Sequence, residues 1–421
     1  MLGRSMEVRQ AVGRGGVMRV QMICMQFHPF GAGTERQALA LSRALVQRGL
    51  EVRVATARYR ALPRTAVVDG IPVERLLYAP DRRRLRRLAK FSYVLALGIY
   101  LLQRRHAFDV LHCHMASMEL IPAVLVAQRS GRPVVVKIAS AGPEGDVERL
   151  RTGDQPWGVL GPVSAALLAQ VSAIVAPSRR IERELKEQGY GRGHYIPNGV
   201  DVRQFRPATE GERAGARQRL ALPAGSLLVG CLGRLHRIKG IDVLIKAWSS
   251  SGLPRADAVL CIAGDGPEDA ALRQLASDVG ATASVRFLGP VESVEFLHAV
   301  DAFALASRTE GMPNALLEAM ASGLACVGTE VAGAEDLLGD GESGLLVPAD
   351  EVPPLATALD ELLNPSVRRR LSDAARSRVE DEFSLESVAR RYEDLYRRLV
   401  SAPGAGSRPA SRAPRARGLS R

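Results

Sequence analysis

Short apolar runs rich in valine, isoleucine and leucine alternate along the chain with longer stretches of helical period. That alternation predicts βαβ units wound around parallel sheets, with strands buried on both faces. One series of strands is predicted at residues 18–27, 50–56, 109–113, 133–139 and 172–178. A second series follows at 226–233, 257–264, 284–289, 301–307 and 324–329. Between them "IPNGVDVRQFRP" (196–207) is rich in turn residues and has no period, which puts a domain join near residue 200. A last helical pattern, "SLESVARRYEDLYRRLV" (384–400), offers Ser384 as N-cap and Val388, Tyr392, Leu395 and Leu399 at helical spacing. A chain of 421 residues exceeds what a single core supports, so two α/β domains are expected. Open α/β sheets bind ligands outside the carboxyl ends of their strands, and two such edges would form a cleft.

Charge and cysteine usage narrow the partners. Of the formal net charge of +12, five arginines with no acid sit after residue 400, so the folded body is only moderately basic. Aromatic residues make up 5% and do not interleave with basic runs as a base-stacking surface requires, which argues against nucleic acid. The five cysteines (Cys24, Cys113, Cys231, Cys261, Cys326) lie in apolar runs without a C-x-x-C pair and read as small buried hydrophobes in a reducing compartment. The N-terminus lacks the apolar core of a secretory signal, and "FSYVLALGIYLL" (91–102) is shorter than the ~20 residues of a spanning helix. A cytoplasmic protein is expected.

Two segments carry the strongest chemistry. In "SRTEGMPNALLEAMASG" (307–323), Pro313 and Gly323 bracket a predicted helix over 313–322. Glu310 then lies outside the helix and faces its N-terminus, while Glu318 lies little more than a turn inside. In "GRLHRIKG" (233–240), Arg234 and Lys239 stand between glycines where a strand ends and a helix opens. A planar guanidinium beside a movable ammonium suits a diphosphate.

Weaker signals surround these. "HPFGAGTERQ" (28–37) places Gly31 and Gly33 at the end of the first strand, but Arg36 occupies the third glycine position of a dinucleotide fingerprint. The second strand ends "VAT", without an acid for a ribose, so a nicotinamide cofactor is not expected. "DVLHCHMAS" (109–117) puts His112 and His114 on one face, with His114 nearer the binding edge. "AGDGPED" (263–269) reads as structural, with Asp265 capping the next helix and Pro267 in its first turn. The basic segment 82–105 reads either as a surface on an anionic leaflet or as a basic surface helix followed by a core helix.

The series "GAGTERQ…LVQRGLEV", "DVLHCH", "IPNGVD", "GRLHRIKG", "AGDGP", "VRFLG" and "SRTEGMPNALLEAMASG…GESGLLVPAD" resembles glycosyltransferase family 4, the retaining sugar-nucleotide transferases. The match runs in family order from about Met18 to residue 400. The resemblance implies the GT-B fold: an N-terminal Rossmann-like acceptor-side domain (18–198) and a C-terminal nucleotide-sugar domain (199–380) facing each other across a cleft. A helix (381–400) would cross back to the first domain, between a flexible N-terminus (1–17) and a disordered basic tail (401–421).

Carried over residue by residue, the resemblance assigns Arg234 and Lys239 to the donor diphosphate and Glu310 to the donor sugar hydroxyls. Glu318 would take the nucleotide ribose, and the amides around Asn314 and Ala315 the phosphate oxygens. The loop at Gly31–Gly33 would approach the diphosphate from the other domain. His114 would stand near the transferred sugar, and the base near Arg286. No D-x-D triplet is present, so a metal-independent hexosyltransferase is expected, with the nucleotide-diphosphate sugar as co-substrate and no further cofactor. The expected partners are a UDP- or GDP-sugar donor and a glycan or glycolipid acceptor of the cell envelope, with an anionic membrane surface meeting segment 82–105. Acceptor choice is assigned to loops 57–90 and 140–160, which carry no transferable motif. Departures from the family pattern fall at Leu50, at Ala325–Cys326 and at Ala332–Gly333, the last near the donor pocket. A sugar-nucleotide epimerase or phosphorylase of the same fold, and a catalytically silent nucleotide-binding or membrane-docking module, are the competing readings.

Overall fold

The computed structural model describes residues 16–29, 33–59, 62–79, 86–140, 145–152, 160–339 and 341–402. Gly31, Arg82–Arg84 and the tail after residue 402 lie outside the described residues. The remainder divides into two compact units: the stretch ending at Gly199 together with the stretch from Val388 onward, and Val200–Ser387.

The first unit holds an eight-stranded sheet in the order β3-β4-β2-β1-β5-β6-β7-β8. Its strands are β1 (Arg19–Cys24), β2 (Glu51–Tyr59), β3 (Thr65–Val68), β4 (Ile71–Ala79), β5 (Val110–Cys113), β6 (Val134–Lys137), β7 (Ala173–Ala176) and β8 (Gly193–Tyr195). All neighbours run parallel except β3 and β4. From β1 the order runs outward to β2 on one side and to β5 on the other, so the switch point of this sheet lies between β1 and β5.

The second unit holds a wholly parallel six-stranded sheet in the order β11-β10-β9-β12-β13-β14. Its strands are β9 (Leu228–Leu232), β10 (Val259–Ala263), β11 (Val285–Gly289), β12 (Ala302–Leu305), β13 (Ala325–Thr329) and β14 (Leu345–Val347). Side chains that alternate along β9 enter two separate cores. Leu228 joins Phe296 and Phe303 on one face, and Val229 joins Leu244 and Trp248 on the other. Burial on both faces is why these strands read as unbroken apolar runs. The switch point of this sheet lies between β9 and β12.

Every predicted run forms a strand, most of them shortened at their ends while β2 runs on to Tyr59, but the pattern misses β3, β4, β8 and β14. The stretch 57–90 is not simply a loop: β3 and β4 form an antiparallel hairpin turned at Asp69–Gly70, where φ is 49° and 81°. An Asp-Gly pair with positive φ at both positions is a two-residue hairpin turn, so the signal was present. Nor is the basic segment a surface helix followed by a core helix. A single helix, Arg86–Gln103, packs against β4 and the Leu120–Ser130 helix.

The last helix spans Leu385–Ser401, and the Ser384 hydroxyl accepts from the Ser387 amide at 3.3 Å. The chain changes unit between Ser387 and Val388 rather than at residue 380. The reason is pairing on either side of that point. Val200 and Leu385 exchange backbone bonds with Phe383 and Val200, whereas Glu393 pairs with Arg48.

Candidate functional site

The loop after β9 begins at the switch point of the second sheet. Leu235 is buried and anchors it: its amide donates to the Asp265 carbonyl at 2.7 Å, and its carbonyl accepts from the Glu268 amide at 3.1 Å. The "AGDGP" segment is thus a backbone support for the basic loop. Asp265 does not cap the next helix, which starts at Asp269 with Glu268 in the cap position and no side-chain cap bond. A Cβ at Gly264 would strike the Gly233 carbonyl, so the two loops stack only because that position is glycine. Held this way, Arg234 projects as an exposed side chain. Residues Arg237–Lys239 form a short 3-10 turn closed by Gly240 at φ 59°, where any Cβ would run into the Ala306 carbonyl.

The neighbouring strand β12 is followed by the loop Ser307–Glu310, which meets the basic loop. Lys239 Nζ donates to Glu310 Oε1 at 2.5 Å, and the Ser307 hydroxyl donates to the same oxygen at 2.7 Å. Ser307 is itself held by Thr329, whose hydroxyl donates to the Ser307 carbonyl at 2.6 Å. Both side-chain bonds land on Oε1, so no side chain among the described residues donates to Glu310 Oε2.

Arg308, not singled out from sequence, braces the arrangement. Its guanidinium donates to the Arg237 carbonyl at 2.6 Å and to both oxygens of Asp242 at 2.8 Å, and Nε donates to Asp350 Oδ1 at 2.9 Å. Its amide donates to the Ile238 carbonyl at 2.8 Å. Hydrogen bonds to Asp242 push the guanidinium pKa further up against the opposing effect of burial. Burial raises the Asp242 carboxyl, but the Arg308 bond and charge outweigh it and leave the carboxyl below its usual range.

The helix that follows runs Asn314–Ala321, with Pro313 at the N-cap rather than in the first turn. Its first intrahelical bond runs from the Leu317 amide to the Pro313 carbonyl. The amides of residues 314–316 therefore lie at the positive end of the helix, with Asn314 and Ala315 at its first two positions. Glu318 is half-buried one turn further along. The departure at Ala332–Gly333 abuts the Gly311–Met312 turn that feeds this helix.

Arg286 is not brought to this group. It is the exposed second residue of β11, level with Cys261 and, through it, with mid-strand Gly230. The ligand edge of β11 is at Gly289. Gly33 is half-buried at the start of the Gly33–Gln47 helix. Among the described residues, no three His, Cys, Asp or Glu side chains are grouped as metal ligands.

In the first unit the switch point between β1 and β5 holds the histidine pair. The rings of His112 and His114 stack with centroids 4.4 Å apart, and both are buried. His112 Nδ1 shares a 2.6 Å hydrogen bond with the Tyr396 hydroxyl, whereas both ring nitrogens of His114 are buried without a partner. Burial pulls His112 down to about 3 and His114 well below its ordinary value of 6.5. Lys137, at the end of the adjoining β6, is also buried, donates to Asn198 Oδ1 at 2.7 Å and is lowered by burial to about 8. A lysine inside the run "PVVVKIA" was its only sequence signal. All five cysteines are buried and free, and burial raises their thiols, so they are inert packing groups.

Two Rossmann-like α/β units built on parallel sheets, with cations and a helix N-terminus gathered at the switch point of the second, define a protein of the GT-B fold. The sucrose-phosphate synthase of Thermosynechococcus elongatus superposes with a TM-score of 0.74 at 22% identity, covering 92% of this chain and 100% of that one. Residues 31–204 match the family described as Glycosyltransferase Family 4, and residues 226–365 match glycosyl transferases group 1. The D-inositol 3-phosphate glycosyltransferase of Acidothermus cellulolyticus is 30% identical over 392 residues, 84% of either chain. The GDP-mannose-dependent monoacylated alpha-(1-6)-phosphatidylinositol monomannoside mannosyltransferase of Corynebacterium glutamicum is 35% identical over 212 residues. That match spans 48% of this chain and only 55% of the relative. The chain belongs to glycosyltransferase family 4.

Proposed function

We propose that the chain transfers a hexosyl unit from a nucleotide-diphosphate sugar to a hydroxyl acceptor with retention at the anomeric carbon. The observation that carries this reading is the convergence of Lys239, Glu310 and the positive end of the Asn314–Ala321 helix at one sheet edge. Such a group offers fixed positive ends for two phosphates and a carboxylate oxygen, Oε2, for sugar hydroxyls. In this reading Arg234 and Lys239 hold the diphosphate, Glu310 accepts from the donor sugar and Glu318 from the nucleotide ribose. His114 serves transfer rather than nucleotide binding.

The bond from the anomeric carbon to the diphosphate breaks as the bond to the acceptor oxygen forms on the same face, and the acceptor proton passes to the departing phosphate oxygen. Charge on that leaving group is met by Arg234, Lys239 and the helix end, and no metal is required. A covalent sugar adduct trapped on a side chain contradicts this route. The acceptor is a lipid-linked or cell-envelope glycan, a reading favoured by the relative whose name specifies a phosphatidylinositol mannoside, whereas the D-inositol 3-phosphate named for the other is a small soluble acceptor. The donor base is uridine or guanosine, the latter favoured by the GDP-mannose-dependent relative.

Incubating the full chain with a panel of UDP- and GDP-sugars, with and without chelator, tests the assignment. Slow release of the nucleotide diphosphate from one donor, unchanged by chelation, is expected. No release from any donor identifies a silent binding module, and loss on chelation overturns metal independence.

A further inference from the structure

The ring of His114 is oriented by packing alone. Its amide donates to the Ile23 carbonyl at 3.0 Å, which fixes the backbone just past the end of β5, yet both ring nitrogens are buried without a hydrogen-bond partner. A buried polar group left unpaired costs stability, and such a group is kept where a ligand or a reaction uses it. What meets the ring is His112, stacked at 4.4 Å between centroids with the two planes 24° apart. Residues two apart along a strand share a face, so the line of β5 delivers both rings to the same side of the sheet.

His112 is held in turn by the last helix. That helix buries a stripe that includes Tyr392 and Tyr396, and the bond from Arg48 Nε to Glu393 at 2.7 Å fixes it within the first unit. Three residues on from Glu393, the Tyr396 hydroxyl reaches His112 Nδ1 at 2.6 Å, and the ring of Tyr392 lies 5.2 Å from that of His112 between centroids. Tyr396 is fully buried, and among the described residues its hydroxyl has no other partner. The hydroxyl hydrogen therefore goes to Nδ1, which leaves the proton of His112 on Nε2. Burial acts on both groups in the same sense: it keeps the phenol protonated and the imidazole neutral, so the bond stays O–H to N.

We propose that Tyr396 and His112 are positioning residues for His114: the tyrosine hydroxyl sets the tautomer and plane of His112, and that plane, by stacking, sets the His114 ring. The proposal rests on the reading that His114 serves transfer. Tyr396→Phe deletes the hydroxyl and keeps the ring. Measured on the slow release of nucleotide from the donor that the wild type accepts, it should lower kcat about tenfold and leave the donor KM within about twofold. In a His114→Ala background the same change should alter the residual kcat by less than about twofold, since no ring is left to position. Ring-nitrogen NMR of the full chain carrying nitrogen-15 histidine gives a readout free of turnover. The wild type should show His112 with its proton on Nε2, and Tyr396→Phe should move the His112 and His114 signals while the other histidines stay in place. An unchanged kcat in Tyr396→Phe, or an equal loss in both backgrounds, overturns the proposal. So does a wild-type His112 protonated on Nδ1, or a His114 signal that Tyr396→Phe does not move. If the wild type releases no nucleotide from any donor, the transferase reading falls, and the nitrogen spectra still decide whether Tyr396 and His112 set the His114 ring.

Discussion

Glu310 accepts from Lys239 and Ser307 on one oxygen, which ties the residue assigned to the sugar directly to the one assigned to the diphosphate. Glu310→Gln removes the charge that competes with phosphate for Lys239. Nucleotide-diphosphate affinity should therefore hold or tighten while transfer falls about 100-fold or more, the usual cost of losing a group aimed at developing charge. Lys239→Ala should weaken nucleotide binding by about tenfold to 100-fold, as expected for a charge-assisted hydrogen bond. Calorimetric titration of the nucleotide diphosphate separates the two. Equal losses of affinity would contradict the split of roles. The strand-end loops that carry Glu310, Arg234 and Lys239 were legible because glycine and proline nearby announce a loop that ends a strand and opens a helix. The pairing of Lys239 with Glu310 was not legible, because it joins residues 71 apart in sequence. Arg286 shows the converse. Its strand was correctly read, but its place along that strand depends on register with β10, which a local pattern does not contain.

At the scale of elements, the site is a stack of strand-end loops held by backbone bonds. Arg308 links three of them, reaching Arg237 and Ile238 in the basic loop, Asp242 in the following helix and Asp350 beyond β14. Arg308→Ala should speed amide hydrogen exchange at residues 237–240 and weaken nucleotide binding about tenfold, a loss of ~1.4 kcal/mol. Arg308→Lys should not rescue it, since an ammonium cannot span both oxygens of Asp242. Unchanged exchange in Arg308→Ala would remove the bracing role. The last helix was read almost to the residue, as Ser384 and the helix after it show, whereas strand ends differ by up to three residues. The β3–β4 hairpin was passed over because its strands lie at the sheet edge and lack the unbroken apolar run of a buried parallel strand. The Asp265 cap was misread for a different reason: a carbonyl bond to Leu235 claims that turn before the helix begins.

At the scale of the molecule, the first unit buries His112, His114 and Lys137, whereas the second unit leaves Arg234 exposed and Lys239 half-buried against Glu310. The unfolded chain binds more protons than the native one wherever burial depresses a pKa, so stability rises with pH across each such window. For His112 the window runs from about 3 to 6.5, and stability should fall as the pH drops through it. For Lys137 it runs from about 8 to 10.5, and stability should climb there. Melting temperature against pH checks both. His114→Gln should flatten the acid limb, and an unchanged acid limb would mean that His114 is not held neutral by burial. By itself the sequence determined the two strand series, the join near residue 200 and the basic and acidic loops, because side-chain period and turn chemistry act over a few residues. Only the tertiary structure decided which strand ends lie side by side, that Lys239 meets Glu310, that Arg308 braces them and that Tyr396 of the last helix meets His112. Those depend on sheet order and on what packs against each face, contacts between residues far apart in the chain whose partners no local pattern names.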